Sequence, residues 1–316
     1  MQDQADQLFA TVVERRLAAP GFAAEVAAAR PRRDKTLVSE DGKLFILAAD
    51  APGRGVIGTR GDDTCLARRP DVLARTVRAL ADATLDGLIA SSDLIDDLLI
   101  LDGVRKERGE PGLLDDRVLV GSMNRGGTAG AVDELNDTFT GYTVEGMVAG
   151  GIDAGKALWR MDLDDPDSGR TLLALAEAAE ESARAELPFF FEVFPVTERR
   201  PDRTYGIAED RLASIRGVGI ASAVASRSTY TWLKLAPSPY LAEMARATTS
   251  PIVVLGGEST GAGGLREQVQ ASLDAAPNVV GCMIGRRLLF PPDDDVAAAV
   301  AEIGSVIHPG IAATIA

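Results

Sequence analysis

The stretch Thr-Tyr-Thr-Trp-Leu-Lys-Leu at 229–235 reads as a β-strand with a lysine inside it. Side chains alternate across a strand, so Tyr230, Trp232 and Lys234 share one side while Thr231, Leu233 and Leu235 share the other. Outward from it, the same β-rich signature recurs at 44–50, 87–91, 117–122, 154–161, 189–194, 251–256 and 279–285. Helix-forming stretches separate most of these runs, among them 71–83, 170–185, 208–216 and 263–275, after an N-terminal helical region at about 5–30. Successive parallel strands with right-handed helical crossovers give either a closed barrel or an open doubly wound sheet. Eight strands is the barrel number, and polar residues stand at the C-terminal end of nearly every run, where barrels keep their chemistry. The expected fold is therefore α/β: residues 1–316 as a single (β/α)8 TIM barrel domain with an N-terminal helical extension. The extension takes 1–40, the barrel 41–307, and 308–316 a tail or docking segment, with 101–116 a charged loop.

Composition narrows the chemistry. The 316 residues carry a net charge of -14, which works against adhesion to nucleic acid or to anionic membranes. No run approaches the roughly 18 to 20 apolar residues of a membrane-spanning helix. The polar, acid-bearing N-terminus fits neither a signal nor a transit peptide, so the expected location is cytoplasmic. Cys65 and Cys282 are far apart and suggest neither a disulfide framework nor a thiolate metal site. His308 is the only histidine, so no zinc site of several imidazoles can form within one chain, and neither metal nor cofactor is expected. Lysine is scarce beside arginine, limited to Lys35, Lys43, Lys106, Lys156 and Lys234. A lysine in an apolar setting needs a reason.

Lys234 meets that description, and so does Lys156 in AGKALWRM (154–161), with Leu158 and Arg160 on its side of the strand. Burial and a neighbouring cation both favour the neutral amine, the form that attacks a carbonyl. The plain alternative is a lysine paired with a core carboxylate. Glu192 interrupts the phenylalanines of FFFEVF (189–194), and a lone buried carboxylate costs several kcal/mol, on the order of known ion-burial penalties. A Lys–Glu–Lys cluster across three strands satisfies that demand and supplies a proton shuttle. Asp50 ends the first strand as an active-site acid or a loop cap, and Arg54 in the following turn is a candidate anion contact. Gly256, Gly257 and Glu258 after the seventh run, with Gly285 and Arg286 after the eighth, occupy the place where barrels hold phosphate. Ser122, Asn124 and Arg125 in GSMNRGG (121–127) are further candidate substrate contacts, with a solvated loop as the bland reading.

Across about 40–292 these residues resemble the class I, Schiff-base aldolase superfamily of deoxyribose-phosphate, archaeal-type fructose-bisphosphate and tagatose-bisphosphate aldolases. The tagatose-bisphosphate and sulfofructosephosphate aldolase branch is similar at Asp50, Arg54, Lys156, Glu192, Lys234 and the Gly285–Arg286 pair. The chain departs from that branch at Ala51-Pro52 and at LAPSP (235–239). The resemblance implies that Lys234 forms the iminium, that Lys156 and Glu192 position substrate and handle protons, and that the enzyme is a homo-oligomer. The GSMNRGG and GGES motifs also resemble an aldolase-like group of inositol breakdown. That implies cleavage of 5-dehydro-2-deoxygluconate 6-phosphate to dihydroxyacetone phosphate and malonate semialdehyde. The expected function is thus metal-independent aldol cleavage of a small-molecule sugar phosphate. Alternatives are another sugar phosphate, an isomerase or epimerase on the same phosphate grip, or a non-catalytic sensor.

Overall fold

The computed structural model describes residues 2–33, 36–59, 61–124, 130–201, 204–257 and 264–311. Two helices, α1 (Gln2–Ala18) and α2 (Phe22–Ala29), come first. Strand and helix then alternate: β1 (Leu44–Ala48), α3 (Arg69–Leu80), β2 (Gly87–Ala90), α4 (Ser92–Glu107), β3 (Val118–Ser122), α5 (Val144–Ala149), β4 (Ala154–Met161) and α6 (Pro166–Arg184). The second half runs β5 (Phe189–Arg199), β6 (Tyr205–Ile207), α7 (Arg211–Ser222), β7 (Thr231–Leu235), α8 (Leu241–Arg246), β8 (Ile252–Leu255), α9 (Leu265–Leu273), β9 (Val279–Ile284), α10 (Arg286–Leu289) and α11 (Val296–Ile307).

All strands except β6 pair in parallel and close the ring β1-β2-β3-β4-β5-β7-β8-β9 back onto β1. This is the eight-stranded barrel expected from the periodicity. The alternation of each strand divides the apolar residues into two shells. Leu44 and Ile46 of β1, Val118 and Val120 of β3, Phe190 of β5 and Trp232 of β7 pack inside the ring. Their neighbours Phe45, Leu47, Leu119, Phe191 and Leu233 face outward beneath the helices. Helix starts are set locally: Asp165 caps α6 ahead of Pro166, and Asp210 and Asp295 accept from Ala213 N at 2.6 Å and Ala298 N at 3.0 Å.

Two expectations change. Residues 101–107 are the second half of α4 and not a loop. This helix buries residues on every side between α1, α2 and the barrel, so it lacks the polar face that marks a surface helix in sequence. Its Asp102 is completely buried, accepts from Leu114 N at 2.8 Å and pairs with Lys106 at 2.9 Å, which explains the charges there. The fifth strand runs on past 194 to Arg199 and turns back as β6, an antiparallel hairpin standing above the mouth. His308, which opens the segment expected as a tail or docking segment, is fully buried at the opposite, N-terminal end of the barrel. Its ring nitrogens lie 2.7 Å from Asp41 and 2.9 Å from Asp86. Asp86 precedes β2 and also accepts from Phe45 N at 2.7 Å, from Ser39 at 2.5 Å and from Arg33 at 2.8 Å. Residues 312–316 of the expected tail lie outside the described residues.

Candidate active site

Lys234 is the fourth residue of β7, and its strand register sets it directly opposite Glu192 of β5. On the inner face of β4, Lys156 is in register with Ser122 of β3 and Phe190 of β5. Asp50 follows β1 by two residues. These five polar side chains therefore come from five strands or strand ends and converge inside the C-terminal half of the ring. Each is nearly inaccessible, with Lys156 at 2% and Lys234 at 5% exposure.

Their pairing is uneven. Lys156 Nζ lies 3.2 Å from Asp50 Oδ2 and also against Glu192 Oε2. Lys234 Nζ contacts one carboxylate only in this cluster, Glu192 Oε1 at 2.7 Å, which it shares with Lys156. Ser122 Oγ donates to Asp50 Oδ2 at 3.3 Å. The electrostatic outcome follows. Burial lowers Lys156, but Asp50 and Glu192 outweigh it and hold this amine above the usual lysine range. Lys234 comes out below that range: burial is the largest effect, the Glu192 charge opposes it, and the Lys156 charge pushes it further down. Burial would raise both acids, yet Lys156 and Lys234 hold Glu192 down, and the same lysines with Arg54 hold Asp50 far down. The cluster thus contains two firm carboxylates, one firm ammonium and one amine biased toward its neutral form.

The other expected contacts divide. Arg54 is buried at the rim, where it pairs with Asp137 and donates to Asn124 O at 2.5 Å. Asn124 is held at both ends. It is completely buried and both ends of its amide are bonded to the backbone of Leu158, donating to the carbonyl at 2.5 Å and accepting from the N–H at 2.8 Å. It clamps β4 to the chain after β3. Ser122 likewise faces Asp50 and orients that carboxylate. Arg125 and Glu258 lie outside the described residues. Gly256 and Gly257 follow β8; Gly256 O accepts from Gln268 at 3.2 Å and Arg287 at 3.2 Å, and Gly257 has φ +58°, a conformation that favours glycine. Gly285 caps α10, and a Cβ there would sit 2.4 Å from Ala48 O, so only glycine lets β9 turn so close to β1. Arg286 is half-buried as the first residue of α10.

Sequence reasoning missed Glu134 and Asp137. Both are 1% exposed in the irregular segment between β3 and α5, and both grip Arg160 of β4, Glu134 at 2.9 Å and Asp137 at 3.3 Å. Their i, i+3 spacing carries no helical periodicity, because the segment is neither helix nor strand. Only the unexplained Arg160 on an inner face hinted at acids above it. Among the described residues no group of three or more His, Cys, Asp or Glu is placed to hold a metal ion, and no helix is long and apolar enough to cross a membrane.

Several known structures share this architecture. An archaeal fructose 1,6-bisphosphate aldolase is 16% identical with a TM-score of 0.61, over 87% of this chain and 97% of that one. A Schiff-base-forming fructose-1,6-bisphosphate aldolase, solved with reaction intermediates, is 16% identical with a TM-score of 0.60, over 86% and 97%. At such identity the likeness shows the barrel alone. No functionally curated protein matches the chain. The crystal structure of Cgl0159 from Corynebacterium glutamicum (Brevibacterium flavum) is far nearer, at 38% identity and a TM-score of 0.87 over 96% of this chain and 97% of that one. The Cgl0159-like family matches residues 42–304, and with that span and that relative the chain belongs to the Cgl0159-like family.

Proposed function

We propose that this protein is a class I aldolase that cleaves a keto-sugar-acid phosphate through an imine on Lys234, with 5-dehydro-2-deoxygluconate 6-phosphate as the candidate substrate. The observation that carries the reading is the unequal pairing of the two buried lysines. Lys234 shares its one cluster carboxylate with a second ammonium and is pushed toward the neutral amine, as a carbonyl nucleophile requires. The shared fold with Schiff-base aldolases is consistent with this, and the resemblance to the tagatose-bisphosphate branch at Asp50, Lys156, Glu192 and Lys234 points the same way.

The neutral amine of Lys234 adds to the keto carbon to give a carbinolamine. Loss of its hydroxyl as water, with a proton from the ammonium of Lys156 or through Glu192, leaves the iminium. A carboxylate of the cluster then removes the proton from the hydroxyl β to the iminium. The carbon–carbon bond breaks, the aldehyde product departs as malonate semialdehyde, and the bonding pair moves into an enamine. Protonation of the enamine carbon and attack of water on the renewed iminium release dihydroxyacetone phosphate and restore the amine. The iminium is the electron sink, so the sequence of steps needs no metal. Gly257 after β8 and the Gly285–Arg286 turn after β9 are the proposed phosphate grip, offering backbone N–H groups and a guanidinium.

The test is borohydride reduction of the protein with dihydroxyacetone phosphate or a panel of ketose phosphates, followed by intact mass and peptide mapping. Added mass of the reduced adduct on Lys234 is the expected result. Ligand binding without any reducible adduct would overturn the imine and favour an isomerase or a sugar-phosphate sensor.

A further inference from the structure

We propose that Arg160 selects a substrate whose far end is a carboxylate, and that Glu134 occupies its guanidinium as a stand-in while no such substrate is bound. The inference rests on the aldolase reading and extends it to the second end of the substrate. Around the closed ring β4 stands diametrically across from β9, with β7 midway between them. A molecule gripped by phosphate at β8 and β9, and held by its keto carbon at Lys234, runs toward β4. Arg160 waits there on the same inner face as Lys156, four residues nearer the mouth, about 13 Å along the strand at roughly 3.3 Å per residue. Its guanidinium is close enough to the lysine cluster to feel the charge of Glu192.

This guanidinium already carries carboxylates. Glu134 Oε1 lies 2.9 Å from its Nε, and Asp137 Oδ2 lies 3.3 Å from its Nη1. The two acids are not held alike. Asp137 is anchored a second time by Arg54, and its own N–H donates to Thr171 at 2.7 Å. Among the described residues Glu134 has besides only the N–H of Gly130, at 3.0 Å. Arg160 belongs to a barrel strand, whereas Glu134 belongs to a turn outside helix and strand. Replacing one carboxylate by another on the same guanidinium leaves the number of buried ion pairs unchanged, and the displaced Glu134 regains water at the mouth. A neutral substrate end offers no such exchange and leaves Glu134 in place. Selection therefore comes from the swap itself.

The experiment is aldol addition of dihydroxyacetone phosphate to malonate semialdehyde and, in parallel, to propanal, for the native chain, Arg160→Gln and Glu134→Gln. Arg160→Gln should raise KM for malonate semialdehyde on the order of 10- to 100-fold, the worth of one charged hydrogen-bonded contact. KM for propanal and borohydride trapping of dihydroxyacetone phosphate on Lys234 should stay as in the native chain. Glu134→Gln, which leaves the barrel wall intact, should lower KM for malonate semialdehyde, and it decides the matter alone if Arg160→Gln does not fold. Equal effects of Arg160→Gln on both aldehydes with trapping retained, or a raised KM for malonate semialdehyde in Glu134→Gln, overturn this inference while leaving the aldolase reading standing. Absence of trapping in the native chain removes both.

Discussion

The two ends of the barrel each bury a cluster of charges, and they are built on opposite principles. At the N-terminal end Asp86 accepts from a backbone N–H, a hydroxyl, a guanidinium and an imidazole. Beside it Asp153 binds Arg30 at 2.8 Å and Arg32 at 2.9 Å and accepts from Leu119 N at 2.9 Å. Both carboxylates are surrounded by donors. At the C-terminal mouth two amines compete for Glu192, and one of them is left short. Buried charge alone thus says little about function. A shortage of partners, which leaves one group shifted away from its ordinary pKa toward the reactive form, separates a reactive cluster from a structural one.

The contrast breaks first at Lys234. Lys234→Met should abolish imine trapping and lower turnover by at least about 10³-fold, because the nucleophile is gone. Its melting temperature should hold or rise, since Glu192 keeps Lys156. A variant that unfolds would place Lys234 among the structural charges instead. The converse variant is Asp86→Ala, which leaves His308 and Arg33 without their shared acid. It should cost about 3–5 kcal/mol in urea unfolding, the usual result of breaking a buried ion pair from one side. Activity per folded molecule should not change.

Acid and base separate the two ends further. Burial lowers His308, but hydrogen bonds from its ring to Asp86 and Asp41 outweigh it, so its folded pKa is raised. Its contribution is complete below the unfolded value of about 6.5 and is lost as pH rises through the higher folded value. At the mouth the sign is reversed. Asp50 and Glu192 are depressed, so their contribution is present above the ordinary carboxylate range of about 4 and is lost as pH falls through their folded values. Denaturation curves across pH should therefore show a decline above neutrality that His308→Gln removes and an acid decline that it only reduces, because His308 also helps to hold Asp86 down while Asp50 and Glu192 are held by the lysines. The smallest effect is the most specific. Lys156→Met removes a cation that holds Lys234 down and gives Glu192 wholly to Lys234, so the acid limb of the pH–rate profile should move to higher pH. An unmoved limb would mean that Lys156 does not tune the nucleophile.

How much of this was legible follows from the range of each signal. Strand alternation is local, so the inner face of Lys156, Arg160, Glu192 and Lys234 was readable from a few residues each. Helix α4 was only half readable, because a helix buried on all sides lacks the polar stripe that marks its period. A polar residue after a strand, such as Asn124, is ambiguous in sequence. Its amide is matched to Leu158, 34 positions away, and nothing near Asn124 in sequence announces that partner.

The sequence by itself determined the barrel, the scarcity of lysine and histidine, and the placing of two amines and an acid on inner faces, since all of these depend on composition or on the two-residue period of a strand. Only the tertiary structure decided which charges satisfy one another. It gave Lys156 two carboxylates and Lys234 a shared one, tied Arg54 and Arg160 to Glu134 and Asp137, and locked His308 into the barrel floor. Pairing depends on register between strands and on where loops return, and Coulomb energies vary steeply over a few ångströms that no local pattern encodes.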